Sequence, residues 1–352
     1  MMTRKEVLQA LLLATLRAVV SPTWLPAANG KEALEKEGKA RSTRAPFRVV
    51  HGWPILPEGY VLGEVSGVGV DSHDHVFVFH RADHSLKTID DPITVPAVLC
   101  FDGKTGKLLA SWGANIFVAP HGLRVDRDDN VWLTDTSLHQ VFKYSHDGKL
   151  LMSIGTARTP GCDDKRFDQP TDVAVADDGS FYVSDGYGNS RIAKFSAEGR
   201  FLFGWGRAGD KPGEFKLPHS IVIGSDGRIY VADRSNGRIQ VFTGDGKFVS
   251  QWKSAALGRP WGLTISPQGE LYMVDGGNLL PRPPDRGCIL RLDFSGNILE
   301  KWASYGNSEG QLYWGHDIAV SRSGDVYVGD VYFGMRVQKF SRSERDCLCL
   351  QH

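Results

Sequence analysis

Polar and apolar positions alternate with a period of two over short runs of this chain, broken by clusters of Asp, Gly, Ser and Asn. That spacing marks half-buried antiparallel strands joined by tight turns. Six segments can be set beneath one another, starting at Ser66, His121, Thr171, His219, Trp261 and His316. They read SGVGVDSHDHVFVFHR, HGLRVDRDDNVWLTDT, TDVAVADDGSFYVSDG, HSIVIGSDGRIYVADR, WGLTISPQGELYMVDG and HDIAVSRSGDVYVGDV. Each holds a strand, a polar turn and a second strand ending near an aspartate. Most run on into a third and fourth strand, as in RIAKFSAEGRFLFGWG from Arg191. The starts lie 42–55 residues apart, the length of a four-stranded propeller blade. The expectation is an all-β, six-bladed β-propeller over residues 46–345. Its last repeat lacks a fourth strand. FRVVHGWP at residues 47–54 resembles the fourth strands LLASWG and FLFGWG, so an N-terminal strand is expected to close the ring and remove its open edges.

The flanks read differently. The first 29 residues combine a basic start, an apolar stretch interrupted by Arg17 and a small-residue exit, which reads either as an export signal or as a peripheral amphipathic helix. The stretch is too short and too charged for a membrane span. Residues 30–45 are charged and small, a solvated linker, and residues 346–352 form a tail. Export to the periplasm or beyond the cell is expected, or a cytoplasmic location if the leading segment is not a signal. Over the 352 residues, 41 Lys+Arg balance 41 Asp+Glu, which leaves no basic footprint for nucleic acid. The five cysteines, Cys100, Cys162, Cys288, Cys347 and Cys349, show no CxxC or zinc-finger spacing, and their odd number argues for free thiols. A monomer is expected.

The aligned first column carries the candidate chemistry. Histidine stands there in blades two, four and six, with Ser66, Thr171 and Trp261 between them. Alternate blades of a six-membered ring are related by about 120° and their innermost strands face the channel. His121, His219 and His316 would therefore converge on the axis and leave a fourth position open, the ligand set of a catalytic zinc. Iron or manganese also accept nitrogen ligands. Asp135, Asp185, Asp233, Asp275 and Asp330 recur in nearly every blade and are assigned to turns and backbone caps. Arg81 in FHRADH and Tyr187 in DGYGNSR depart from their neighbours in the repeat, and the register permits both near the mouth of the channel.

VSGVGVDSHDHVFVFHRADH, APHGLRVDRDDNVWLTDTSLHQVFKY, FDQPTDVAVADDGSFYVSDGYGNSRI and LPHSIVIGSDGRIYVADRSNGRIQVF also resemble the peptidyl-α-hydroxyglycine α-amidating lyases, which are NHL-repeat propellers. The similarity extends over most of residues 52–340 and is weakest in blade five. The resemblance implies that His121, His219 and His316 hold a catalytic zinc and that Arg81 and Tyr187 are active-site residues. It further implies a structural calcium on the Asp317 carboxylate and the backbone carbonyls of Val68 and Leu123. The implied reaction cleaves the C–N bond of a peptidyl-α-hydroxyglycine to a peptide amide and glyoxylate. A metal there would act as a Lewis acid on the substrate hydroxyl, with Tyr187 as general base beside Arg81. The sequence departs from the family in places. Asp168 and Gly188 stand at one disulfide's positions, Tyr230 and Val241 at another's, and Trp314 replaces a methionine beside the substrate pocket. These 352 residues contain no monooxygenase domain, so the source of a hydroxylated substrate is open. Two other readings remain: a non-catalytic NHL propeller that binds protein or RNA through its rim, and a propeller hydrolase of the calcium-dependent lactonase type. The lactonases converge carboxylates and amides on the channel metal, where this chain has histidines.

Overall fold

The computed structural model describes residues 46–82, 91–278 and 286–343. The expectations for residues 1–29, 30–45 and 346–352 lie outside them. Six four-stranded antiparallel sheets form the blades of a propeller. Blade two is representative: Pro120–Val125 lines the channel, followed outward by Val131–Asp135, Gln140–Tyr144 and Leu150–Ile154. The second strands are buried on both faces, as in Phe181–Asp185 and Leu271–Asp275, because each blade is covered by a neighbour on either side. Continuous apolar runs there are the expected consequence. The interfaces between blades are large and aromatic. Phe77, Phe79 and Phe117 of the first blade region, for example, meet Leu133, Phe142 and Tyr144 of the second.

Ring closure follows the sequence expectation. Phe47–Val49 pairs with Arg336–Arg342 to complete the sixth blade. The joint between blades shows why a tryptophan ends the fourth strand in blades one and three. A Cβ on the turn glycine of the next blade would fall 2.7 Å from Trp112 at Gly148 and 2.8 Å from Trp205 at Gly246. Each indole therefore lies flat where only glycine leaves room. Trp53 repeats this contact against Gly106 of blade one. The first and last described strands pair in blade six, and there Phe47 stacks on Trp302 at 4.3 Å instead.

Every innermost strand carries a register shift, between Val65 and Gly67, Pro120 and Leu123, Pro170 and Asp172, Pro218 and Ser220, Pro260 and Gly262, and Gly315 and Asp317. The displaced residues are those of the aligned column: Ser66, His121, Thr171, His219, Trp261 and His316. A bulge of this kind takes a residue out of the ladder and re-aims its side chain. The repeated aspartates cap backbone as expected. Asp135, for one, accepts the N–H groups of Val118, Ala119, Ser137 and Leu138. Cys100 and Cys288 are buried free thiols and Cys162 is an exposed one. Among the described residues no helix is long and apolar enough to cross a membrane.

Candidate active site

The three bulged histidines meet on the channel axis. Their ring centroids are 4.6–4.8 Å apart and each pair of planes crosses at 71°. Each ring is oriented by the following blade. Nδ1 of His121 donates to the Thr171 carbonyl at 2.7 Å, Nδ1 of His219 to Trp261 at 2.8 Å, and Nδ1 of His316 to Ser66 at 2.6 Å. The non-histidine members of the column thus hold the histidines through their backbones. This leaves each Nε2 as the lone-pair nitrogen, turned to the centre. The ligand atoms all lie within 4.8 Å of one another. Nε2 of His219 and of His316 is buried with no hydrogen-bond partner. Burial holds all three rings well below the ordinary imidazole range, with the Arg81 charge adding for His121 and that of Arg234 for His219. Below them is a cavity of about 10 Å³, bounded also by Asp172 and Asp317, room for one water or one ion. Buried, neutral, oriented imidazoles with orphaned nitrogens fit a divalent metal and fit little else.

Tyr187 and Arg81 both reach this centre, but not each other. The Tyr187 hydroxyl lies 3.3 Å from His121 Nε2, and its hydrogen-bonding cation is Arg234, whose Nη1 donates at 3.2 Å. The guanidinium of Arg234 is sandwiched between Tyr187 and Trp261, 5.2 and 4.3 Å from the two ring centroids. Arg81 is fully buried, donates Nε to the Pro120 carbonyl at 2.9 Å, and pairs with Glu64. Its Nη2 and the Nε of Arg234 have no partner among the described residues. Arg234 escaped the sequence reading, yet a signal was there. In the aligned repeats it occupies the same final position as Arg81, in the blade opposite. Trp314 stands one ring further out, 5.8 Å from Trp261, which itself lies 5.8 Å from His316. Trp261, Trp314, Tyr332 and Phe333 form a continuous aromatic wall from the histidines to solvent.

The implied calcium position is arranged otherwise. Asp317 Oδ1 accepts Arg124 Nη1 at 3.1 Å and Oδ2 accepts the Val68 N–H at 3.1 Å. The other side of the Arg124 fork is bonded to Asp172 at 2.6 Å, Ser220 and the Leu263 carbonyl. Calcium requires six to eight free oxygen ligands, and both Asp317 oxygens already carry N–H donors and one of them faces the Arg124 charge. The residues present do not fit a calcium ion. A larger cavity of about 590 Å³ opens beyond Arg124, at the opposite end of the channel. It contains none of the histidines, and the chemistry is assigned to the histidine end.

NHL repeat sequences match residues 167–195 and 215–242. Peptidyl-α-hydroxyglycine α-amidating lyase 2 of Drosophila melanogaster is 32% identical over 309 residues, covering 80% of this chain and 72% of the relative. Lyase 1 of the same organism is 34% identical, covering 82% of this chain and 59% of the relative. The chain belongs to the peptidyl-α-hydroxyglycine α-amidating lyase family. Peptidyl-glycine α-amidating monooxygenase B of Xenopus laevis is 40% identical over 316 residues. The chain spans about a third of that protein, 35% of its length. Among solved structures, a streptogramin B lyase superposes with a TM-score of 0.56 at 16% identity, covering 84% of this chain and 98% of the other. A gluconolactonase from Xanthomonas campestris gives 0.56 at 14%, covering 86% and 96%. At such identities these two show the propeller fold alone.

No cysteine stands at the positions of the implied disulfides, and other contacts join them. Gly188 donates its N–H to the Asp168 carbonyl at 3.0 Å, and Tyr230 faces Val241 across the ladder. The Tyr230 hydroxyl donates to Asp226 at 3.0 Å.

Proposed function

We propose that this lyase-family chain is a zinc-dependent carbon–nitrogen lyase that converts a peptidyl-α-hydroxyglycine to the peptide amide and glyoxylate. The observation that carries the reading is the set of three buried, neutral histidines with Nε2 directed at one point. His121, His219 and His316 would hold the zinc, whose contribution when bound is Lewis-acid polarisation of an oxygen ligand.

The remaining steps belong to the protein. The Tyr187 oxygen, beside the histidines and hydrogen-bonded to Arg234, relays a proton: it accepts the one on the substrate's α-hydroxyl as its own phenolic proton passes to the leaving nitrogen. The C–O bond becomes a carbonyl as the C–N bond breaks, and the departing amide nitrogen receives a proton from the same phenol. Proton count is conserved: one proton moves from oxygen to nitrogen and the products are an amide and an aldehyde. Arg234 has no carboxylate partner among the described residues, whereas Arg81 is already paired with Glu64. Arg234 Nε, with Arg81 Nη2, supplies the free donors for the substrate carboxylate. The aromatic wall through Trp314 borders the peptide side of the substrate. The reading includes export of the chain and function as a monomer.

The test is glyoxylate release from an N-acyl-α-hydroxyglycine by the purified chain, with metal content measured and a chelated sample as control. About one zinc per chain and chelator-sensitive release support the assignment. A zinc-loaded protein that releases no glyoxylate removes it.

A further inference from the structure

We infer that Arg124 is a built-in cation that replaces calcium at the hub of this propeller, so that the chain holds its blades together without that ion. The inference concerns the channel below the histidines and does not depend on the proposed reaction.

The argument starts from one column of the repeat. Its fourth position reads Gly69, Arg124, Ala174, Val222, Thr264 and Ala319, so a charged residue enters it in blade two alone. From there the side chain crosses the channel. Nη1 donates to Asp317 of blade six at 3.1 Å, and Nη2 to Asp172 of blade three at 2.6 Å, Ser220 of blade four at 3.1 Å and the Leu263 carbonyl of blade five at 3.0 Å. Blade one joins through the Val68 N–H on the other oxygen of Asp317. Ser220 in turn donates to Asp172 at 2.8 Å and accepts the Leu263 N–H at 3.0 Å. One guanidinium therefore joins blades two to six directly at their axis, and blade one through Asp317.

The chemistry explains why the substitution works. A calcium ion at the axis would neutralise buried carboxylates and cross-link blades through oxygen ligands. A guanidinium does both with a planar fork whose donors match two carboxylates at once. It is also covalently part of blade two and cannot dissociate. The two solutions exclude each other, because the Asp317 oxygen facing the fork cannot also serve a metal, and a divalent ion beside Arg124 would be repelled. The Arg124, Asp172 and Asp317 side chains are only 14%, 4% and 7% exposed, so solvent screening does not soften that repulsion.

The experiment compares the intact chain with Arg124→Ser and Arg124→Lys in thermal unfolding, with excess EGTA or with millimolar calcium, alongside calcium analysis of the purified proteins. The wild-type protein is expected to carry no stoichiometric calcium and to unfold at the same temperature in both buffers. Arg124→Ser should unfold several degrees lower in EGTA, recover in calcium, and bind one calcium at least a hundred-fold more tightly than wild type. Arg124→Lys should unfold lower in both buffers without responding to calcium, since it keeps the charge and loses the fork. One equivalent of calcium in the wild-type protein, or a wild-type melting temperature that drops in EGTA, overturns the inference. A folded Arg124→Ser protein indifferent to calcium does so equally. Should that variant fail to fold, the wild-type calcium content and EGTA response decide the matter alone. Glyoxylate release is not among these readouts, so failure here and failure of the lyase reading are separate results.

Discussion

Burial of three neutral histidines has a consequence for metal binding that pH can expose. An imidazole of ordinary pKa, about 6.5, loses about ten-fold in its proton-free fraction between pH 7.5 and 5.5. Three such ligands would compound to a loss of about a thousand-fold in zinc affinity, or about 4 kcal/mol. In this fold burial holds all three well below that range, so protons should not compete. Zinc affinity, measured against a chromophoric chelator with its own pH dependence removed, should fall less than about ten-fold over that interval. The cost appears in folding instead. A folded-state pKa depressed below the unfolded value gives stability that is present above pH 6.5 and lost as the pH falls. Each histidine then removes at most about 1.4 kcal/mol from the metal-free protein by pH 5.5. Asp185 and Asp330, raised to about 6 by burial, act with the opposite sign and offset part of this. A thousand-fold loss of zinc affinity over the two pH units would show that the histidines titrate as if exposed, and the reasoning about the site would fail.

Tyr187→Phe should lower turnover by about 10²–10⁴-fold, the usual range for a lost proton-transfer group, with zinc content unchanged. Near-normal turnover refutes the proton-transfer role. Arg234→Gln should raise KM for a substrate bearing a free carboxylate by about ten-fold or more and leave KM for the corresponding carboxamide nearly unaltered, and equal effects on both would place the carboxylate elsewhere. Gly122→Ala would put a Cβ 2.4 Å from the Thr171 carbonyl that orients His121. It should cost about 1–3 kcal/mol in chemical denaturation and weaken zinc retention, whereas unchanged retention would show that the contact between blades two and three does not set the histidine. Phe47→Ala removes the ring stacked on Trp302 and should cost about 3–5 kcal/mol, and a loss below 1 kcal/mol in urea unfolding would mean that closure of the ring does not depend on it.

The repeat made the propeller legible, because period-two alternation and turn chemistry are local properties that recur six times. It also made the three histidines legible, since symmetry converts a shared column into a shared direction. The bulges were not legible. Nothing in APHGL says that His121 leaves the ladder, although this displacement is what aims the ring. Arg234 was missed because its meaning lies in a partner 47 residues away, the Tyr187 hydroxyl, and no local pattern reports that proximity. The calcium position shows the limit from the other side. Asp317, Val68 and Leu123 are all present in the sequence, but the residue that changes the use of the carboxylate is Arg124, which reaches Asp317 across the channel. Column position predicts which way a residue faces. It does not predict which of several facing residues will take the centre.

The pairing of Phe47–Val49 with Arg336–Arg342 also constrains the order in which the molecule is made. Phe47 pairs with Arg342, so its strand must wait until residue 342 has been made before its partner exists. During synthesis five blades can assemble while that strand and the outer edge of blade six stay unpaired, the kind of edge that invites association with other chains. The loop-closure penalty itself is modest, since it grows only with the logarithm of length. The exposure is therefore one of time, and it ends only when Arg336–Arg342 has left the ribosome.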